Sequence, residues 1–66
     1  MNLNIDETIT INNPLYNKEK NYKVIGIDTD RMEYICIDEN NPYSTFYFTN
    51  EYIDDFLITV NKPECF

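Results

Sequence analysis

Two apolar runs decide how this chain folds: Tyr22-Lys23-Val24-Ile25-Gly26-Ile27-Asp28 and Arg31-Met32-Glu33-Tyr34-Ile35-Cys36-Ile37-Asp38. β-Branched and aromatic side chains suit a pleated surface, so both runs read as strands. Asp28-Thr29-Asp30-Arg31 between them is a short polar hairpin turn. Residues two apart in a strand share a face. Val24 is therefore expected opposite Ile25 and Ile27, and Met32, Tyr34 and Cys36 opposite Ile35 and Ile37. Both faces of this hairpin are apolar, although a small domain buries only one. The second face is either covered by something or taken up by strand bending.

Working toward the C-terminus, Glu39-Asn40-Asn41-Pro42 reads as the next turn and Tyr43 to Phe48 as a fourth strand. Its parity points Phe46 and Phe48 inward and leaves Tyr43 and Tyr47 with Thr45 on the outer side. Thr49 or Asn50 can cap a helical turn, because each side-chain oxygen can accept a free backbone N–H. Phe56, Ile58 and Val60 alternate and predict a last short strand. Tyr52, Ile53, Phe56, Leu57 and Val60 also fit one face of a helix, so residues 50–60 are either one helix or a helical turn followed by a strand. The β-branched Ile58-Thr59-Val60 favours the second. Residues 61–66 read as a tail.

Toward the N-terminus, Leu3, Ile5, Ile9 and Ile11 alternate, with Glu7 breaking the series, which predicts a first strand over Leu3–Ile11. Asn12 to Asn21 reads as a loop, opening on Asn12-Asn13-Pro14. At about ten residues it exceeds a usual hairpin connection. Leu15 and Tyr16 within it are expected to pack back on the core.

At 66 residues the chain is one domain, 1–66, with a barrel over about 9–60. A chain this small buries only about 60% of its unfolded surface, which leaves little room for a catalytic cleft. The start at Met1 is read as a complete small reading frame. Its Asn-, Ile- and Tyr-rich composition, with a single Gly, points to an AT-rich genome.

Twelve acidic against five basic residues give a net charge of -7. Direct nucleic-acid binding and an anionic membrane are disfavoured, because both need Lys and Arg. A protein partner with a basic surface is favoured. No apolar stretch approaches a membrane span, and the first residues lack the basic and apolar regions of a signal peptide, so a cytoplasmic location is expected. Cys36 and Cys65 are then expected to be reduced, Cys36 as a small core residue.

The order of elements is strand, long loop, three-strand meander, helical turn and short strand. It resembles an SH3-like barrel from about Ile9 to Val60. The segment from Tyr22-Lys23-Val24-Ile25-Gly26-Ile27-Asp28 through Phe46-Tyr47-Phe48-Thr49-Asn50-Glu51-Tyr52-Ile53 looks like many small phage and bacterial barrels. The expected fold is thus mostly β: a small five-stranded SH3-like barrel with one short helical turn before the last strand. The resemblance implies no single function. The chain lacks the acidic-aromatic first-loop motif of signalling SH3 domains and has no Trp.

An enzyme is not expected. The chain has no His, no Cys-x-x-Cys, no Ser–Lys pair and no Gly-rich phosphate loop. Asp28-Thr29-Asp30 is followed by Met32 and Glu33 with no Gly, which departs from a calcium loop, so no metal or other cofactor is expected. The candidate partner-binding residues are acidic and tyrosine: Asp28, Asp30, Asp38, Glu39, Tyr43, Tyr47, Glu51, Tyr52, Asp54 and Asp55. If most carboxylates shared a face they would match the phosphates along one side of a duplex of similar span, about one per 1.7 Å of axis over both strands. They would otherwise serve as a solubilising surface. The favoured expectation is a phage-encoded protein that binds and inhibits or modulates a host or defence protein, in its sharpest form by nucleic-acid mimicry. The alternatives are a structural module that homo-oligomerises through the apolar hairpin face and an SH3-like peptide-binding module with an aromatic groove near the Asn12–Asn21 loop.

Overall fold

In the computed structural model, which describes residues 3–13 and 18–61, the alternating runs form β1 (Thr8–Asn13), β2 (Lys18–Asp28), β3 (Glu33–Asp38) and β4 (Asn41–Thr49). A short helix α1 (Asn50–Phe56) and a last strand β5 (Leu57–Asn61) follow. All neighbouring strands pair antiparallel in one open sheet ordered β4-β3-β2-β1-β5. The chain therefore leaves one edge of the sheet at β4 and returns through α1 to the other edge at β5.

The inner face carries the core. Ile9, Ile11, Val24, Cys36 and Ile53 are fully buried, with Leu3, Tyr22, Tyr34 and Phe48 around them. Ile53 reaches this core from α1, so the helix covers the inner face. Tyr22 meets Phe46 and Phe48 edge-on, and Tyr52 stacks on Phe48 at 5.0 Å and touches Phe56. Such aromatic packing adds stabilisation beyond area burial.

Residues 50–60 divide as the β-branched run implied. Thr49 is extended, and its Oγ1 accepts the Tyr52 N–H at 3.1 Å, which caps α1. The helix ends where the Leu57 N–H donates to the Ile53 carbonyl and the backbone turns extended.

Three expectations are corrected. The first strand begins at Thr8, not Leu3. Residues 4–7 make a turn instead, in which Asp6 adopts φ 74 and Glu7 is buried, its Oε1 accepting the Asn4 N–H at 2.6 Å. The Asp6 N–H donates to the Val24 carbonyl and the Val24 N–H to the Glu7 carbonyl, so this turn takes the place of strand pairing there. Glu7 broke the alternation because it serves that turn, and Ile5 is left exposed.

The second correction concerns Asn12–Asn21. Asn12 pairs with Glu19 and Asn13 with Lys18, so both strands run on as a polar ribbon. Lys18 to Asn21 are exposed. Backbone pairing, the Thr10 to Asn21 side-chain hydrogen bond at 2.7 Å and the Lys20–Asp38 ion pair at 3.6 Å hold it, none of which needs apolar alternation. Leu15 and Tyr16 lie outside the described residues.

The third correction is at Gly26. The β2–β3 register shifts between Val24 and Gly26, with Ile25 as the extra residue. A bulge of this kind resets parity. Gly26 falls opposite Ile35, and Ile27 falls opposite the buried Tyr34, on the inner side with Val24 and not opposite it. A Cβ on Gly26 would lie 3.3 Å from Ile35 Cδ1, so Ile35 lies across this position.

Candidate partner-binding surface

Cross-strand register sets the outer face of β2, β3 and β4. Lys23 pairs with Ile37 and Ile37 with Thr45, Gly26 with Ile35 and Ile35 with Tyr47, Asp28 with Glu33 and Glu33 with Thr49. Directly opposed residues share a face. The outer face therefore has an apolar centre of Ile35, Ile37 and Tyr47, with Ile25 exposed at the bulge beside it. A row holding the carboxylates of Asp28 and Glu33 bounds that centre at one end. Tyr47 is 62% exposed and Tyr43, in the irregular start of β4, 95%.

The acidic candidates divide between the two ends of the sheet. Asp28 closes β2, and its Oδ1 accepts the N–H groups of Asp30 and Arg31 at 3.1 Å each, fixing the turn. Met32, at φ 55, completes that turn, and its carbonyl accepts the Asn50 N–H at 3.1 Å. This bond ties the turn to the start of α1. Glu51, Asp54 and Asp55 are exposed on α1 at i, i+3 and i+4, which is one helix face. Asp28, Asp30 and Glu51 thus stand at one end, and α1 carries Asp54 and Asp55 toward the other, where Leu57 pairs with Ile11 at the level of Lys20.

Asp38 and Glu39 lie at the other end, about 16 Å away along the strands at about 3.3 Å per residue. Asp38 is turned inward: it is buried, faces Lys20, and its Oδ1 accepts the Asn40 N–H at 2.8 Å. That placement is structural. Glu39 is exposed in the turn. Tyr52 is half-buried in the aromatic stack of the inner face. Of the tyrosine candidates, Tyr43 and Tyr47 are left to the surface.

Ile35, Ile37 and Glu33 belong to the surface but were not among the candidate residues. Parity placed Ile35 and Ile37 on the second apolar face, which was the signal available. Glu33 was missed because nothing in the sequence fixes the register that sets it beside Asp28.

An open depression of about 490 Å³ lies where the N-terminal turn meets the β2–β3 turn, lined by Leu3, Ile27, Asp28, Tyr34 and Asn50 among others. The Tyr34 hydroxyl accepts the Leu3 N–H there at 3.3 Å. The Cys36 thiol is fully buried, and burial pushes its pKa up to about 12. A thiol so desolvated is a poor nucleophile near neutral pH. Cys65 lies outside the described residues. Among the described residues no group of three or more His, Cys, Asp or Glu could hold a metal ion, and no helix is long and apolar enough to cross a membrane.

Comparison with known proteins finds no matching family model, no similar curated sequence and no similar solved structure. The functional reading therefore rests on the surface itself.

Proposed function

We propose that this chain is a non-catalytic docking protein that engages a basic partner protein through the outer face of β2, β3 and β4, and that it inhibits or modulates that partner. The observation that carries the reading is the meeting of half-buried Ile35 and Ile37 with exposed Tyr47 on one sheet face beside the Asp28 and Glu33 carboxylates. Protein interfaces combine an apolar or aromatic centre with a polar rim, and tyrosine is enriched among the residues that carry binding energy. The net charge of -7 steers such a face toward a basic surface.

The strand order, with α1 carrying the chain from one sheet edge to the other, supports an SH3-like barrel arrangement. That resemblance and the AT-rich composition support a phage origin. Nucleic-acid mimicry is the sharper version. It draws on the five carboxylates around α1 and the β2–β3 turn, while Glu7 and Asp38 face inward and contribute nothing to it.

The test is affinity capture from cells in which the gene occurs, comparing the natural chain with Tyr47→Ala and Asp54→Lys. The expected result is a partner retained by the natural chain, weakened by either substitution and by salt, and displaced by DNA if mimicry operates. Capture indifferent to both substitutions and to salt would reject the reading. A second reading is self-association through the same face, favoured by the uncharged Ile25, Ile35 and Ile37. Sedimentation separates the two, since concentration-dependent dimers require self-association and a constant monomer excludes it.

A further inference from the structure

We propose that β4 receives an extended segment of the partner as a sixth strand, the segment alternating apolar with Lys or Arg residues. The proposal rests on the reading above that the partner is basic, and it names how that partner binds. β4 is an edge of the sheet: among the described residues its one strand partner is β3. It is nine residues long, against five for the other edge, β5. An edge strand presents a row of N–H and C=O groups that another strand can complete.

Exposed edges are commonly protected by charges or Pro. In a chain that is 26% charged, Asn41 to Thr49 contains no charged residue. Pro42 stands only at its start, and Asn41 Oδ1 accepts the Tyr43 N–H at 3.3 Å, which leaves Ser44 to Thr49 able to pair. The strand is also rich in Tyr, Phe and Thr, the residues that best accept a neighbouring strand.

The chemistry around this edge selects the occupant. On the inner side Phe46 is half-buried, so an apolar side chain from an added strand would complete its cover. On the outer side Thr45 and Tyr47 are exposed, and a Lys or Arg can lie over the tyrosine ring. Exposed carboxylates stand at both ends of the strand, Glu39 before it and Glu51 after it. A second copy fits poorly. Two-fold antiparallel pairing of β4 with itself would set the Glu39 end of one copy against the Glu51 end of the other, between chains that each carry -7. A basic strand meets the same carboxylates as counter-charges.

The experiment titrates the full chain with a synthetic peptide of alternating valine and lysine, followed by amide resonances. A second peptide, N-methylated at every residue, keeps the charge and removes every backbone donor. The expected result is perturbation centred on the Ser44–Thr49 amides and binding of the unmethylated peptide at least about tenfold tighter than its methylated form. Glu51→Lys, an exposed substitution, should weaken the unmethylated peptide several-fold. Equal affinity for both peptides overturns strand addition while leaving the basic-partner reading standing. Failure of both to bind at low ionic strength removes the basic-partner reading itself. Concentration-dependent changes in the same amides without peptide would assign the edge to a second copy and overturn the proposal.

Discussion

The two faces of the β2–β3–β4 sheet are built from similar residues and meet different fates. Val24, Tyr34 and Cys36 on the inner face are buried in one core with Ile53 of α1, whereas on the outer face Ile35 and Ile37 are half-buried, Ile35 lying across Gly26, and Tyr47 is exposed. Hydrophobicity alone does not distinguish the faces. What does is the route of the chain: α1 crosses the inner side on its way from β4 to β5, and nothing described crosses the outer side. An apolar residue on the inner face is thus a stability element, and on the outer face it is available to a partner.

Truncation gives the largest contrast. Ile9→Ala or Ile53→Ala removes a fully buried side chain and should lower the unfolding free energy by about 2–5 kcal/mol. Ile35→Ala should cost about 1 kcal/mol or less in the same denaturant titration. Equal losses at Ile53 and Ile35 would mean that the outer face is packed as tightly as the inner. Between these lies the helix that makes the faces unequal. Thr49→Ala removes the cap on Tyr52 and should cost about 1 kcal/mol, with Thr49→Ser restoring most of it.

Cys36 sharpens the contrast through pH. Its thiol is raised from 9.0 to about 12 by burial, so the unfolded chain loses its proton first as pH rises. The folded state then holds more protons than the unfolded one, and stability falls with rising pH across that interval. Denaturant midpoints from pH 8 to about 10.5 should decline more steeply for the natural chain than for Cys36→Ala. Parallel curves would mean the thiol is hydrated in the fold. The smallest expected effect on stability is Tyr47→Ala, within about 0.5 kcal/mol, coupled to loss of partner capture.

Much of this division was legible in the residues. Period-two alternation located β2, β3 and β4, their parity sent Phe46 and Phe48 inward and Tyr43 and Tyr47 outward, and the pair Thr49-Asn50 announced the cap of α1, which Thr49 supplies. The illegible parts have common causes. Strand pairing between Asn12–Asn13 and Lys18–Glu19 is made by backbone groups of polar residues, which leave no apolar pattern to read. The bulge at Ile25 shifts Ile27 to the inner side by a change of register that parity counting cannot detect. Asp38 and Glu39 are neighbours of similar chemistry, yet Asp38 ends β3 on the buried side of Tyr34 and Cys36, 3.6 Å from Lys20, while Glu39 lies exposed in the turn. For the acidic candidates, the bond from Asn50 to Met32 sets the start of α1, and Glu51 with it, beside the β2–β3 turn, a contact between residues eighteen apart that no local signal announces.

The claim that the sheet keeps an open side for a partner is tested most directly by amide hydrogen exchange along β4 in the isolated chain. Between Thr45 and Thr49, alternate N–H groups should divide into a slow set bonded to β3 and a fast set facing the free edge. Uniform protection of all of these amides would show the edge already covered and would contradict the account.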